Sequence, residues 1–188
     1  MARPITLTRT LLAAFAVSVA LSASAAPPAS AATGGAAPAR GTQGYVFPVL
    51  GPHEFGSSAS RFGAGRAGHT HQGHDVMAEC GIPVVAARGG LVQFAGYQDA
   101  AGNYLVIDGR ETSLDMVYMH LAEPPLAQVG DPVRTGEQIG TVGDTGSATA
   151  CHLHFEIWTG PGWFEGGSPV DPLPYLLRWD RYRPARSR

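Results

Sequence analysis

The sequence contains no lysine, because all 13 of its basic residues are arginine. This absence excludes mechanisms that use a lysine as a base or as a Schiff-base nucleophile. Acidic residues number 15, so the formal net charge is only −2. Such a small charge gives no indication of a surface built for nucleic acid or for an anionic membrane. Histidine is present seven times and is the residue type best suited to proton transfer or metal binding near neutral pH.

The sequence also lacks an apolar run long enough to cross a bilayer. The mainly apolar run at 11–21 has about half of the roughly 20 residues that a membrane-spanning helix needs. It follows a positively charged start and precedes Ala-x-Ala sites at 23–25 and 29–31, which is the order of a secretory signal. We therefore predict a signal peptide over 1–25, with cleavage as late as residue 31 as the alternative. After cleavage we expect a secreted chain without stable membrane insertion.

Residues 26–44 contain no large apolar side chain and cannot bury enough surface to offset the entropy of ordering, so we predict a flexible linker there. We predict one folded domain over 45–180 and a basic tail over 181–188. Short β-branched or aromatic runs, separated by glycine, proline, asparagine and aspartate, predict a mainly β domain with an antiparallel sheet. From residue 45 to 180 only the short stretch 172–179 approaches a 3.6-residue apolar period, and its prolines limit a helix there. The predicted strands are 83–86, 90–96, 104–107, 116–120 and 151–158, with a hairpin turn at 99–103.

Cysteine is scarce, with only Cys80 and Cys151 present. Both lie in the predicted domain of an exported chain, where an oxidising compartment permits pairing. Two isolated cysteines without Cys-x-x-Cys spacing make a poor metal site. We predict a disulfide between them, with two buried thiols as the alternative.

The segment 151–158, CHLHFEIW, is the most informative part of the sequence. Side chains alternate along a strand, so His152, His154 and Glu156 share one face and the intervening apolar residues share the other. The apolar face belongs in the core. Neutral imidazoles on a rigid strand are good zinc ligands or proton-transfer groups.

A second cluster, HQGHD at 71–75, offers a nitrogen donor from His71 and an oxygen donor from Asp75. The intervening Gly73 lets the backbone approach closely. One histidine from the later strand would complete three protein ligands and leave a fourth position for water, as in catalytic zinc sites. The sequence has no His-Glu-x-x-His, no Gly-x-Ser-x-Gly and no phosphate-binding loop, which disfavours those chemistries.

Five segments in this order resemble the lysostaphin-type, or M23, metallopeptidases. They are HQGHD at 71–75, CGIPV at 80–84, YMHL at 118–121, IGTVGDTG at 139–146 and HLHFE at 152–156. The resemblance implies an antiparallel β-sheet with a groove across one face. It implies one Zn²⁺ ion held by His71, Asp75 and His154, with His120 and His152 beside the ion as catalytic residues. Cys151 stands where many members of the family have proline.

The function implied is that of a secreted zinc metalloendopeptidase, extracellular or associated with the cell wall, which hydrolyses peptide bonds in peptidoglycan stem peptides or cross-links. The expected partner is a peptidoglycan peptide, not nucleic acid, and no protein partner is indicated. We assign the general base to His152 and the stabilisation of the tetrahedral intermediate to His120, with the two roles exchangeable. One alternative is a non-catalytic module that binds the wall or activates another hydrolase. Another is a zinc peptidase with a different secreted substrate, such as glycine-rich peptides.

Four further residues near these motifs carry expectations of their own. We place His74 at the surface or in contact with substrate. We expect Glu156 to orient a histidine from outside the ligand set. Arg61 and Arg66 are expected to face solvent, with contact to a substrate carboxylate as the alternative.

Overall fold

A computed structural model describes residues 44–181 of the chain. The predicted signal peptide, the predicted linker up to residue 43 and the predicted tail from residue 182 lie outside the described residues. Within residues 44–181, which belong to one compact unit, the backbone forms eleven strands, one short 3-10 helix and one α-helix. No helix in this described part is both long and apolar enough to cross a membrane.

The elements follow one another along the chain as short strands joined by turns. They are the 3-10 helix Ser58–Ser60, β1 Gly65–Arg66, β2 His69–Thr70, β3 His74–Met77, β4 Pro83–Val85, β5 Gly90–Gln98, β6 Gly102–Gly109, β7 Leu114–Leu121, β8 Pro132–Val133, β9 Gln138–Thr141, β10 His152–Thr159, β11 Pro169–Val170 and α1 Leu173–Arg181.

The main sheet has seven strands, in the order β11-β10-β7-β6-β5-β8, with β3 also paired to β10. All of its pairings are antiparallel, which confirms the predicted mainly β, antiparallel fold. β3 pairs with the first half of β10 and β11 with its second half, so β10 has neighbours along both edges. Two small antiparallel pairs, β1–β2 and β4–β9, complete the architecture.

The core lies under one face of the main sheet. Leu153, Phe155 and Ile157 of β10 are fully buried there, as the alternation of the strand predicted. Burying each such side chain stabilises the fold by about 1.5 to 3 kcal/mol relative to leaving it exposed. The helix α1 begins in the stretch 172–179, whose apolar period the sequence showed only weakly, and packs Leu176 and Trp179 against the same core.

A disulfide joins Cys80 to Cys151, as the sequence predicted. Cys80 follows β3 and Cys151 immediately precedes β10. The bond therefore ties together the chain segments that flank two paired strands of the main sheet.

Replacing Cys80 and Cys151 together by serine should lower the free energy of unfolding by about 4 kcal/mol, because the cross-link spans 71 residues and restricts the unfolded chain. Urea denaturation, followed by tryptophan fluorescence, measures this change. Thiol reductant should lower the stability of the wild type by a similar amount and leave the double variant unaffected. Equal stability of the two proteins without reductant would contradict the prediction.

Candidate metal centre

The pairing of β3 with β10 brings together residues that are 79 positions apart in sequence. Asp75 lies directly opposite His154 across this antiparallel pair. Opposed residues on antiparallel strands project from the same face with their Cβ atoms about 5 Å apart. His71 precedes β3 by three residues and joins them from the start of the loop that follows β2.

Three potential ligand atoms meet at this point. His71 Nε2, Asp75 Oδ1 and His154 Nδ1 lie 2.9 Å from one another in all three pairings. All three residues are buried, with at most 8% of their surface exposed. Donor atoms that share one zinc ion lie about 3 Å apart, because each lies about 2 Å from the ion. These residues could therefore hold a metal ion.

The hydrogen bonds around the two imidazoles show why a cation fits this position. His71 Nδ1 donates to the carbonyl oxygen of Arg61 at 2.9 Å, and His154 Nε2 donates to Glu156 Oε1 at 2.9 Å. In a neutral imidazole the second nitrogen then carries a lone pair and no proton. The two neutral rings and the carboxylate of Asp75 thus direct three lone pairs at one point. A positive charge is needed to hold them at this distance.

The pKa values of the metal-free site follow from the same arrangement. Burial by itself would lower the pKa of His154, but its hydrogen bonds to Asp75 and Glu156, and their charges, raise that pKa to about 9. Burial also opposes ionisation of Asp75, yet the hydrogen bond from His154 and the closeness of His71 hold the pKa of Asp75 well below the usual range. Without a metal ion, a proton on His154 therefore supplies the positive charge that the three atoms require.

Gly73 leaves room for this packing, as the sequence suggested. A Cβ atom at residue 73 would lie 2.5 Å from the carbonyl oxygen of Phe155 and 2.7 Å from His154 Nε2. Both distances are too short for a side chain. A larger residue at this position would displace either the metal-facing histidine or the strand that carries it.

Glu156 and Arg66 form hydrogen bonds with the candidate ligand residues. Glu156 is buried and accepts from the Trp158 indole N–H at 2.6 Å in addition to its bond with His154. It therefore orients a histidine, as expected, and such outer partners fix the ring and its protonated nitrogen. Arg66 donates to Asp75 Oδ2 at 3.0 Å, so it is neither free in solvent nor placed to meet only a substrate carboxylate.

The structure contradicts the expected position of His74. It was placed at the surface or in contact with substrate, but it is fully buried and its Nε2 donates to the carbonyl oxygen of Phe55 at 3.0 Å. The physical reason is the alternation along β3, which turns Asp75 to the metal-facing side and His74 to the core side.

His152 lies on β10 two residues before His154, on the same face. Its Nδ1 donates to the carbonyl oxygen of Ala150 at 2.8 Å, and its Nε2 lies 3.6 Å from Asp75 Oδ1. Its ring centroid lies 4.8 Å from that of His120. The two histidines that the sequence placed outside the ligand set are thus neighbours beside it.

His120 reaches this position through an irregularity in β7. Between consecutive cross-strand pairs β6 contributes one residue and β7 two, Met119 and His120, which is a β-bulge. His120 also has a φ of 61°, in the left-handed region that non-glycine residues rarely adopt. Alternation alone would direct these two side chains to opposite faces. The bulge lets both line the same cleft.

Burial and the charges of the neighbouring His152 and His154 lower the pKa of His120 to about 4. Its Nδ1 donates to the carbonyl oxygen of Thr145 at 2.8 Å. His120 is therefore neutral at pH 7 and its Nε2 carries a lone pair.

The candidate metal centre lies in an open cleft of about 710 Å³ across the face of the sheet, where the resemblance to the M23 metallopeptidases implied a groove. Besides the histidines and Asp75, the cleft is lined by Trp158, Trp163 and Phe164. Trp158 lies on the same face of β10 as Glu156, because side chains alternate between the two faces of a strand. Nothing in the sequence indicated that the loop 160–168 would bring Trp163 and Phe164 to the same cleft.

Comparison with known proteins gives consistent matches. The model of peptidase family M23 matches residues 69–172, which contain the candidate ligands and both neighbouring histidines. The chain is 40% identical over 87 residues to a peptidoglycan DD-endopeptidase, ShyC, of Vibrio cholerae, covering 46% of this chain and 20% of that protein. It is 36% identical over 110 residues to the glycyl-glycine endopeptidase ALE-1 of Staphylococcus capitis, covering 58% of this chain and 30% of that protein.

Among solved structures, the fold resembles the catalytic domain of the antimicrobial peptidase lysostaphin from Staphylococcus simulans. The TM-score is 0.58 at 31% sequence identity, over 66% of this chain and 92% of that chain. The two curated relatives are much longer than the matched region, since the chain spans only 20% to 30% of their lengths.

Replacing His154 by alanine should abolish zinc binding at micromolar concentrations, because it removes one of three converging donors and leaves Asp75 and Glu156 without their shared partner. The loss should exceed the roughly 10- to 100-fold that removal of an outer hydrogen-bond partner costs. Competition with a colorimetric chelator measures the affinity. His69→Ala is the matched control, because His69 is an exposed histidine of the same cleft and should leave zinc affinity unchanged.

Full zinc binding by a folded His154→Ala protein would show that the ion is held elsewhere. Thermal unfolding of the metal-free forms checks that each variant is folded.

Proposed function

The chain belongs to peptidase family M23, and we propose on that basis that it is a zinc metalloendopeptidase which hydrolyses peptide bonds in peptidoglycan stem peptides or cross-links. The observation that supports this proposal most directly is the convergence of His71 Nε2, Asp75 Oδ1 and His154 Nδ1 at 2.9 Å in an open cleft. We assign these three residues as the ligands of one zinc ion.

A zinc ion bound here would act as a Lewis acid toward the scissile carbonyl and would lower the pKa of a water molecule toward about 7. Two nitrogens and one oxygen form a ligand set that zinc accepts readily, and three protein ligands leave a position open to solvent. Glu156 and the carbonyl of Arg61 keep both ligand histidines in the tautomer that presents a lone pair to the ion.

His152 is suited to the role of general base. Its Nδ1 hydrogen bond to Ala150 leaves Nε2 unprotonated and facing the cleft. The carboxylate of Asp75, 3.6 Å away, would stabilise the imidazolium that forms when His152 takes a proton from the attacking water. His152 can then return that proton to the leaving amine.

His120 is suited to a different role from that of His152. Its low pKa keeps it neutral, and Thr145 occupies its only N–H group, so Nε2 can accept a hydrogen bond but cannot donate one. We therefore assign His120 to alignment of the attacking water. Stabilisation of the tetrahedral intermediate, the role expected from the sequence, would require a proton on Nε2.

Peptidoglycan as the substrate is supported by the relatives' names and by the predicted export signal. One relative is named a peptidoglycan DD-endopeptidase and another a glycyl-glycine endopeptidase. An apolar run of signal-peptide length stands at 11–21, and we propose that the mature chain acts outside the membrane, free or associated with the cell wall.

Purified peptidoglycan incubated with the zinc-loaded mature chain should release fragments that mass spectrometry assigns to cleavage of a peptide bond. A chelator should stop the release and added zinc should restore it, because the metal is needed for the reaction. Release that continues in chelator would contradict the metal mechanism. Absence of cleavage in every wall type, with zinc bound, would favour a non-catalytic module that binds the wall or activates another hydrolase.

His152→Ala should keep zinc affinity within about threefold of the wild type but lower kcat by about 10²- to 10⁴-fold, the range that general bases contribute. The affinity is kept because His152 is not among the three converging donors. Both quantities are measured on the same preparation, and His69→Ala again serves as the control. Loss of zinc together with loss of turnover would make His152 a ligand or a structural residue instead of a base.

A further inference from the structure

The face of the sheet that carries the metal centre continues into an aromatic surface. Val106, Val117 and Trp163 are buried together there, in a cluster separate from the main core. The partly buried side chains that pack against this cluster are Phe94, Tyr104, Met119 and Trp158. An open apolar surface that adjoins polar catalytic groups is typical of a ligand site.

The loop 160–168 is held firmly over this surface. The Trp163 backbone N–H donates to Asp115 Oδ2 at 2.8 Å, and the Gly167 N–H donates to the carbonyl oxygen of Gly162 at 3.0 Å. The indole of Trp163 packs against Phe94 and Tyr104, with ring centroids 5.5 Å apart in each case. The loop is therefore a fixed part of the cleft.

Phe164 is the exposed member of this loop. Its side chain is 70% exposed although its ring lies 4.2 Å from that of Trp163. Its φ is 58°, which is unfavourable for a bulky residue. Backbone strain of this kind persists only where the surroundings impose it and is concentrated at ligand-contacting positions. The strain and the exposure together indicate that the ring is presented to a ligand.

The aromatic surface begins directly beside the metal centre. Met119 lies opposite His154 across β7 and β10. Trp158 lies four residues beyond His154 on the same face of β10, which is about 13 Å along the strand. An extended peptide advances about 3.3 Å per residue. A peptide that extends from the metal centre along β10 would therefore run over this surface for about four residues.

The side chains of the aromatic surface indicate which chemical group of a ligand would bind there. The side chains of Met119, Trp158, Trp163 and Phe164 are all uncharged, and the only N–H group of the Trp158 side chain is already bonded to Glu156. The rest of the cleft includes polar residues such as Arg66 and Gln72. The surface thus suits an apolar side chain of the peptide better than a charged group or a sugar hydroxyl.

We propose that Met119, Trp158, Trp163 and Phe164 form a subsite for an apolar side chain of the substrate peptide, with Phe164 as the specificity-determining residue. The subsite rests on the proposed peptidase function and adds to it a preference for peptides with apolar side chains, alanine or larger, over glycine.

Two blocked peptides of equal length and charge, acetyl-pentaalanine amide and acetyl-pentaglycine amide, test the subsite. Binding to the zinc-loaded mature chain is followed by tryptophan emission, since Trp158 and Trp163 line the cleft. Fragment masses at the end of each titration detect any cleavage. The alanine peptide should bind about fourfold more tightly, because the subsite takes one alanine side chain and a buried methyl group contributes about fourfold.

Phe164→Ala should reduce this preference to about twofold or less by weakening only the alanine peptide, and Phe164→Leu should retain most of it. Alanine keeps a Cβ atom at the same positive φ, so the variant changes the side chain without relieving the backbone. Tyr97→Ala is the matched control, because Tyr97 is a 62% exposed aromatic residue on β5 that is not part of the subsite.

Equal affinity of the wild type for both peptides would overturn the subsite, as would a Phe164→Ala variant that weakens both peptides equally. Competition of an N-acetylglucosamine trimer with the alanine peptide would assign the surface to a sugar and would also overturn the proposal. Cleavage of peptidoglycan without an alanine preference contradicts the subsite alone. An alanine preference without cleavage of any wall type contradicts the proposed function alone.

Discussion

The active face of this protein depends on three lone pairs that are held within 2.9 Å of one another. Electrostatics opposes such an arrangement, because two neutral imidazoles and a carboxylate repel when no positive charge lies between them. The fold offsets this repulsion through the register of β3 with β10, which sets Asp75 opposite His154. It also fixes each ring by a hydrogen bond on its far nitrogen. A proton on His154 supplies the missing charge in the metal-free protein, and a zinc ion can take its place.

Other features of the fold support the arrangement of these three ligand atoms and shape the open cleft beside them. The disulfide ties the segment after β3 to the start of β10, next to His152. The bulge in β7 turns His120 into the cleft instead of the core. Its burial there keeps that imidazole neutral, with a pKa of about 4, so it does not add a second positive charge beside the metal centre.

The cleft combines two environments along one sheet face. Around His154 the lining is polar, whereas from Met119 to Trp158 it is apolar and aromatic. Glu156 joins the two parts, because its carboxylate accepts from both His154 and Trp158. The residue that orients a ligand of the proposed zinc ion is thus itself positioned by a hydrogen bond from the aromatic surface.

The sequence by itself determined the local order of this protein: the β class, the two faces of β10, the disulfide and the identity of the converging residues. Those features depend on alternation, cysteine scarcity and motif order, which are readable along the chain. Only the tertiary structure decided the burial of His74, the inward turn of His120 and the contribution of Trp163 and Phe164 to the cleft. Each of these depends on a neighbour distant in sequence or on a rare backbone conformation, and residue patterns along one strand do not encode either.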